Sequence, residues 1–208
     1  MPLPQRVALA VFLAVFAVSW WRPEYPVEQA LHHSLTVIAL ALLVWATRRF
    51  RLPFTSFVLV LVFLTLHTIA ARWIYSYVPY REWFGLPSNG RNNFDRLVHL
   101  AWGLLLAPVI GGLLLRRGWR SGWAYLAAVG AVVATGALYE ILEWGVAFTL
   151  APDAAEAYNG QQGDPFDAQK DQALALLGAL LGGLAVISLR RNLDITEALD
   201  EDGHQSRR

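Results

Sequence analysis

The stretch from Ser121 to Tyr139, SGWAYLAAVGAVVATGALY, contains no charged side chain. As a helix rising about 1.5 Å per residue, it matches the roughly 30 Å hydrocarbon core of a bilayer. Working outward, six apolar stretches of this kind or close to it fall at 7–21, 27–47, 54–74, 97–115, 122–150 and 172–189. Pro26 and Pro53 stand where helices begin, and Pro152 follows a helix end. No period-two alternation recurs, which argues against a barrel. The sequence predicts an all-α integral membrane protein, a six-helix transmembrane bundle occupying residues 1–191, with a polar, disordered cytoplasmic tail at 192–208.

Composition agrees. Of 208 residues 56% are hydrophobic and 16% charged, against about 25% charged in a soluble domain. The net charge of +1 excludes the basic surface that phosphate contacts need, so no nucleic-acid partner is expected. With no cysteine, thiol catalysis and Cys-based metal sites are excluded. The expected partner is the lipid bilayer.

Arginine and lysine set the direction. With the N-terminus inside, cytoplasmic segments hold eleven of them and outer segments six. Both termini are therefore expected in the cytoplasm. Ala17-Val18-Ser19 resembles a signal cleavage site. Trp20, Trp21 and Arg22 read instead as an interfacial belt, which favours an uncleaved first helix.

Ionisable residues inside spanning segments each need a reason. His67 lies about 20 Å past Phe54, and Glu140 and Glu143 lie about 27–32 Å past Gly122. Asp95 and His99 open the fourth helix from outside, and Asp164, Asp167 and Asp171 open the sixth. Traced separately, these residues fall at one level near the outer face. Asp95 and His99 are four apart and Glu140 and Glu143 three apart, so each pair shares a helix face. Carboxylates and imidazoles gathered in a bundle can hold a divalent metal ion or form an acid/base pair. Crowded carboxylates at low dielectric must share a proton, take a cation, or pair with Arg72, Arg91 or Arg96.

Each residue also has a structural reading. Asp164-Pro165-Phe166-Asp167 looks like a helix N-terminus, Asn92 or Asn93 can cap the fourth helix, and Asp95 can be a first-turn acid. His32 and His33 read as interfacial, with Glu28 four residues before His32. A carbonyl or hydroxyl can satisfy His67, and an arginine can pair Glu140 and Glu143. Taken together, these readings explain poorly why the residues share one depth. Gly178 and Gly182 form a small-xxx-small pattern that lets a neighbouring backbone approach.

Asn93-Phe94-Asp95-Arg96-Leu97-Val98-His99, Tyr139-Glu140-Ile141-Leu142-Glu143-Trp144 and Gln162-Gly163-Asp164-Pro165-Phe166-Asp167 running on to Asp171 form three ordered motifs. With Gly178 they resemble the YjdF-like family of bacterial inner-membrane proteins. More remotely, the last three helices resemble the VanZ-like family, with Arg96 for Lys, Glu143 for Gln and Ala175 for Asn. The resemblance implies a multi-pass protein of the bacterial inner membrane in a cell-envelope setting, without supplying a reaction.

The functional expectation is an outer-facing His/Asp/Glu pocket that binds or acts on a lipid-linked or amphipathic envelope substrate. Glu140, Glu143 and Asp171 are the expected acid/base groups, and Asp95, His99, Asp167 and His67 the expected ligands of a divalent metal ion. Arg81, Arg91 and Asp164 are expected to meet the substrate head group. A small proton- or cation-coupled transporter is a second reading, ranked lower because the cytoplasmic halves of the helices are nearly all apolar. A non-catalytic accessory protein is a third.

Overall fold

The computed structural model describes residues 1–87, 90–149 and 158–205, with side chains as far as residue 188. Its helices are α1 (Leu3–Ser19), α2 (Pro26–Phe50), α3 (Phe54–Arg72), α4 (Tyr80–Trp83), α5 (Phe94–Leu115), α6 (Ser121–Ala147) and α7 (Asp167–Gln205). Helices α2, α3, α5 and α6 and the Asp167–Ser188 part of α7 are long and apolar enough to cross a membrane, and α1 is a shorter apolar helix. Among the described residues there is no strand. The multi-helix membrane bundle is the observed architecture, with the four-residue α4 as an unanticipated addition.

Helices α5 and α7 begin earlier than their apolar runs. Hydropathy marks where lipid begins, whereas a helix starts where its first amides find acceptors. Asp95 and Asp167 sit in those first turns, where an acid favours the positive end of the helix dipole. Helix α7 also runs on to Gln205, through much of the segment read from its polarity as a tail. Polarity argues against burial and says less about helicity; residues 206–208 lie outside the described residues.

The bundle has two leaves. In the first, α1 and α2 pack on α3, where Phe12, Leu43, Phe57 and Leu61 share one core. In the second, α5, α6 and α7 pack on one another. Helix α6 buries Ala124, Ala128, Val132 and Gly136, a four-residue stripe, while Leu126, Leu138 and Ile141 on other faces are exposed and suited to lipid. Helices α5 and α7 approach most closely. A Cβ on Gly103 would overlap the Ala175 carbonyl oxygen, and one on Gly178 would overlap that of Leu100. The expected small-residue packing is therefore present, with α5 as the neighbour. Helix α3 joins the leaves by packing on α5.

Candidate functional site

The second leaf brings the N-termini of α5 and α7 to the same end as the C-terminal half of α6. Asp95, His99, Glu140, Asp167 and Asp171 meet there. One ligand atom each from His99, Glu140 and Asp171 lie within 4.8 Å of one another, and the same holds for Asp95, Asp167 and Asp171. Asp171 is the shared corner. Asp95, Asp167 and Asp171 are all buried, and His99 Nε2 stands 3.7 Å from Glu140 Oε1.

The two groups differ in charge compensation. Arg91, in the loop before α5, places Nη2 on both the Asp95 and Asp167 carboxylates. Arg96 donates to Asp164 at 2.7 Å and stands 3.6 Å from Asp167. Neither guanidinium is paired with Glu140 or Asp171 among the described residues. Glu140 Oε1 and Asp171 Oδ1 are buried with no hydrogen-bond donor. Buried acceptors in that condition are rare and unfavourable.

A polar lattice holds the two loops in place. Asn92 and Gln162 exchange bonds, the Asn92 amide to Gln162 Oε1 at 2.8 Å and Gln162 Nε2 to the Asn92 carbonyl at 3.0 Å. Arg91 also donates to the carbonyls of Gln161 and Gly160. The Asn92 side chain accepts from the Phe94 amide at 3.1 Å, an Asx turn leading into α5. Asp164 does the same for Phe166 at 3.1 Å and also takes Lys170 at 2.6 Å. The Lys170 hydrogen bond, helped by the Phe166 amide, pushes the Asp164 carboxyl down to about 2.

The remaining expected residues lie around this core. Arg81 donates to the carbonyls of Pro87 at 2.8 Å and Arg91 at 2.7 Å, bracing its loop. His67 is engaged at both nitrogens, Nδ1 with the Tyr75 hydroxyl and Nε2 with the His32 carbonyl at 3.3 Å, and falls in neither ligand group. Glu143 also lies outside both. Burial, reinforced by the Glu143 carboxylate, holds the Tyr158 hydroxyl up at about 12 and that of Tyr75 well above its ordinary value.

His32 and His33 correct the sequence reading. They are 0% and 2% exposed rather than interfacial. His32 stacks on the Tyr158 ring at 4.5 Å, and the His33 ring lies 4.6 Å from that of Phe16 on α1. Proximity to a helix start does not imply exposure where another element folds over it. The signal was present in the spacing: Gln29, His32, His33 and Thr36 form a polar stripe on one α2 face, and all four are buried. Tyr75, which engages His67, gave no comparable signal.

Beside the acidic cluster, a cleft of about 190 Å³ lies between the leaves, and His99 lines it. His99 thus faces both the apolar cleft and the carboxylates.

Comparison with known proteins places the chain. It is 36% identical to "Inner membrane protein YjdF" of Escherichia coli (strain K12) over 152 residues, 69% of this chain and 70% of that protein. No solved structure matches it. Neither finding bears on the remoter VanZ-like pattern. Residues 4–192 match the family described as "Predicted membrane protein (DUF2238)", and the chain belongs to that family of membrane proteins.

Proposed function

We propose that this chain is a bacterial inner-membrane protein in which His99, Glu140 and Asp171 hold a divalent cation beside a cleft for an amphipathic envelope substrate. The observation that carries the reading is the pair of buried, undonated oxygens, Glu140 Oε1 and Asp171 Oδ1, within ligand range of an imidazole. The neighbouring arginines are spent on Asp95, Asp167 and Asp164, which leaves a shared proton or a cation to compensate these oxygens, and the imidazole in the same group favours the cation. One imidazole and two carboxylates suit zinc, manganese or ferrous iron better than calcium. Three protein ligands are fewer than the four of a closed structural site, which leaves room for head-group oxygens. The arginine distribution points this end toward the outer face.

In this reading His99, Glu140 and Asp171 are the ligands, and Asp95 and Asp167 are supporting acids held by Arg91. His67 lines the cleft beside them, and Arg81, Arg91 and Asp164, engaged in their own loop contacts, mark the rim where a head group would arrive. The test is metal analysis of the full chain purified without chelator. About one divalent cation per chain is expected, lost in H99A and E140Q. Metal-free protein whose melting temperature does not respond to added Zn²⁺, Mn²⁺ or Fe²⁺ would overturn it.

A further inference from the structure

The cleft between the two leaves is walled by Leu35 and Ala39 of α2, Phe63 and Leu64 of α3, and Val98 and Trp102 of α5. Thr135 and Gly136 of α6 face α2 across it. Helix α2 packs on α3, whereas α6 packs on α5 and α7, so the gap between α2 and α6 is bridged by neither leaf. Thr135, at the mouth, donates its hydroxyl to the carbonyls of Ala131 at 2.7 Å and Val132 at 3.0 Å. Thr135 thereby brings no unmet polar group to the entrance. In a bilayer no hydrophobic force closes such a gap, because lipid tails are as apolar as the walls; whatever fills it gains dispersion contacts.

Size and polarity narrow the occupant. An apolar cavity of about 150 Å³ holds a benzene ring. The 190 Å³ here therefore takes a stretch of one hydrocarbon chain and not two side by side. Thr36, His67, Tyr75, His99 and Tyr139 supply the polar part of the lining, and of these His99 also belongs to the carboxylate group. An amphiphile whose chain lies along Ala39 and Trp102 would therefore bring its head group to His99, Glu140 and Asp171.

We infer that the cleft admits the chain of a single-chain membrane amphiphile, entering sideways between α2 and α6, with its head group at His99. The head-group half of this inference rests on the proposed cation site; the chain half rests on the cleft alone.

The experiment reconstitutes the full chain in phosphatidylglycerol vesicles with a sixteen-carbon fatty acid carrying a mid-chain diazirine, and maps photolabelled residues by mass spectrometry. Labels are expected to concentrate on Ala39, Phe63, Trp102 and Thr135. A39W, which fills the cleft, should lower that labelling at least fivefold while labels on the exposed residues Trp123 and Leu126 persist. T135W, on an exposed position at the mouth, should do the same without touching the core, and serves if A39W does not fold. Labelling spread evenly over the outer surface and unchanged by T135W would overturn the inference. So would equal cleft labelling by a diazirine phosphatidylglycerol with two chains. Metal content measured on the same samples separates the two proposals: cleft labelling without bound metal sinks the cation site and leaves the chain site standing.

Discussion

Arg91 binds the carboxylate of Asp167 across 76 positions of sequence, and the same Nη2 atom binds Asp95 four residues on. One guanidinium thus fastens the starts of α5 and α7, with two buried acids as its anchors. The packing of small residues below brings the helices close; this clamp fixes their register at the polar end. Removing one member of a buried pair leaves the others as uncompensated charge. R91Q is expected to destabilise the bundle by about 3 kcal/mol. R91K should fall between R91Q and the native protein, since an ammonium cannot reproduce the planar fork. Thermal unfolding in one detergent checks both, and an R91Q protein that melts like the native one would refute the clamp.

Asp164 adds a pH-dependent strut to the same end. Its carboxyl lies at about 2 in the fold against an ordinary 3.8, chiefly through the Lys170 hydrogen bond. A depressed acid contributes stability that is fully present above its unfolded value and is lost as pH falls through the folded one. The native protein should therefore melt above D164N at neutral pH. The gap should stay constant down to about pH 4 and close between there and pH 2. A gap that is flat across this window would show that the Lys170 contact does not persist in solution.

Two glycines separate close packing from mere composition. A Cβ on Gly178 would overlap the Leu100 carbonyl oxygen, whereas one on Gly130 meets nothing within 4 Å. G178A must push α7 away from α5 and is expected to destabilise by about 1–3 kcal/mol. G130A adds a better helix former in open space and should stabilise by up to about 1 kcal/mol. Opposite signs in melting temperature are expected, and equal effects would contradict the close approach.

How much of this was legible in sequence depended on the kind of force. Apolar runs and the common depth of Asp95, His99, Glu140 and Asp171 follow from lipid thickness and helical rise, which are local and periodic, so spans and cluster could be read directly. The allocation of arginines could not. Arg72, Arg91 and Arg96 are equal candidates in sequence, yet Arg72 donates to the carbonyls of Trp21 and Arg22 while the other two take the acids. That choice is made by the loop before α7, whose path turns at Gly160, Gln162 and Gly163, all at positive φ. A left-handed glutamine gives no compositional sign. His32 was misread for a related reason: one of the rings that cover it, stacked at 4.5 Å, is Tyr158, 126 positions away and held by that same loop.

Glu140 and Glu143 look interchangeable in sequence, three apart on one helix, and the structure separates them. Glu140 Oε1 faces His99 and joins the ligand group with Asp171, while Glu143 lies toward Tyr75 and Tyr158. If the cation sits where proposed, E140Q removes a direct ligand and E143Q does not. Partners that only orient a metal ligand are each worth about 10–100-fold in affinity, so loss of a direct one should weaken binding by more than about 100-fold. E143Q should bind within about tenfold of the native protein, on the scale of an outer partner. H67F should keep its metal while melting lower, because it strips the Tyr75 hydroxyl of its imidazole partner, at about 1–3 kcal/mol for a buried group left unsatisfied. Calorimetric titration of Zn²⁺ into the three variants decides the matter. Equal loss in E140Q and E143Q would move the site one helical turn toward Tyr158, and loss in H67F would bring His67 in as a ligand.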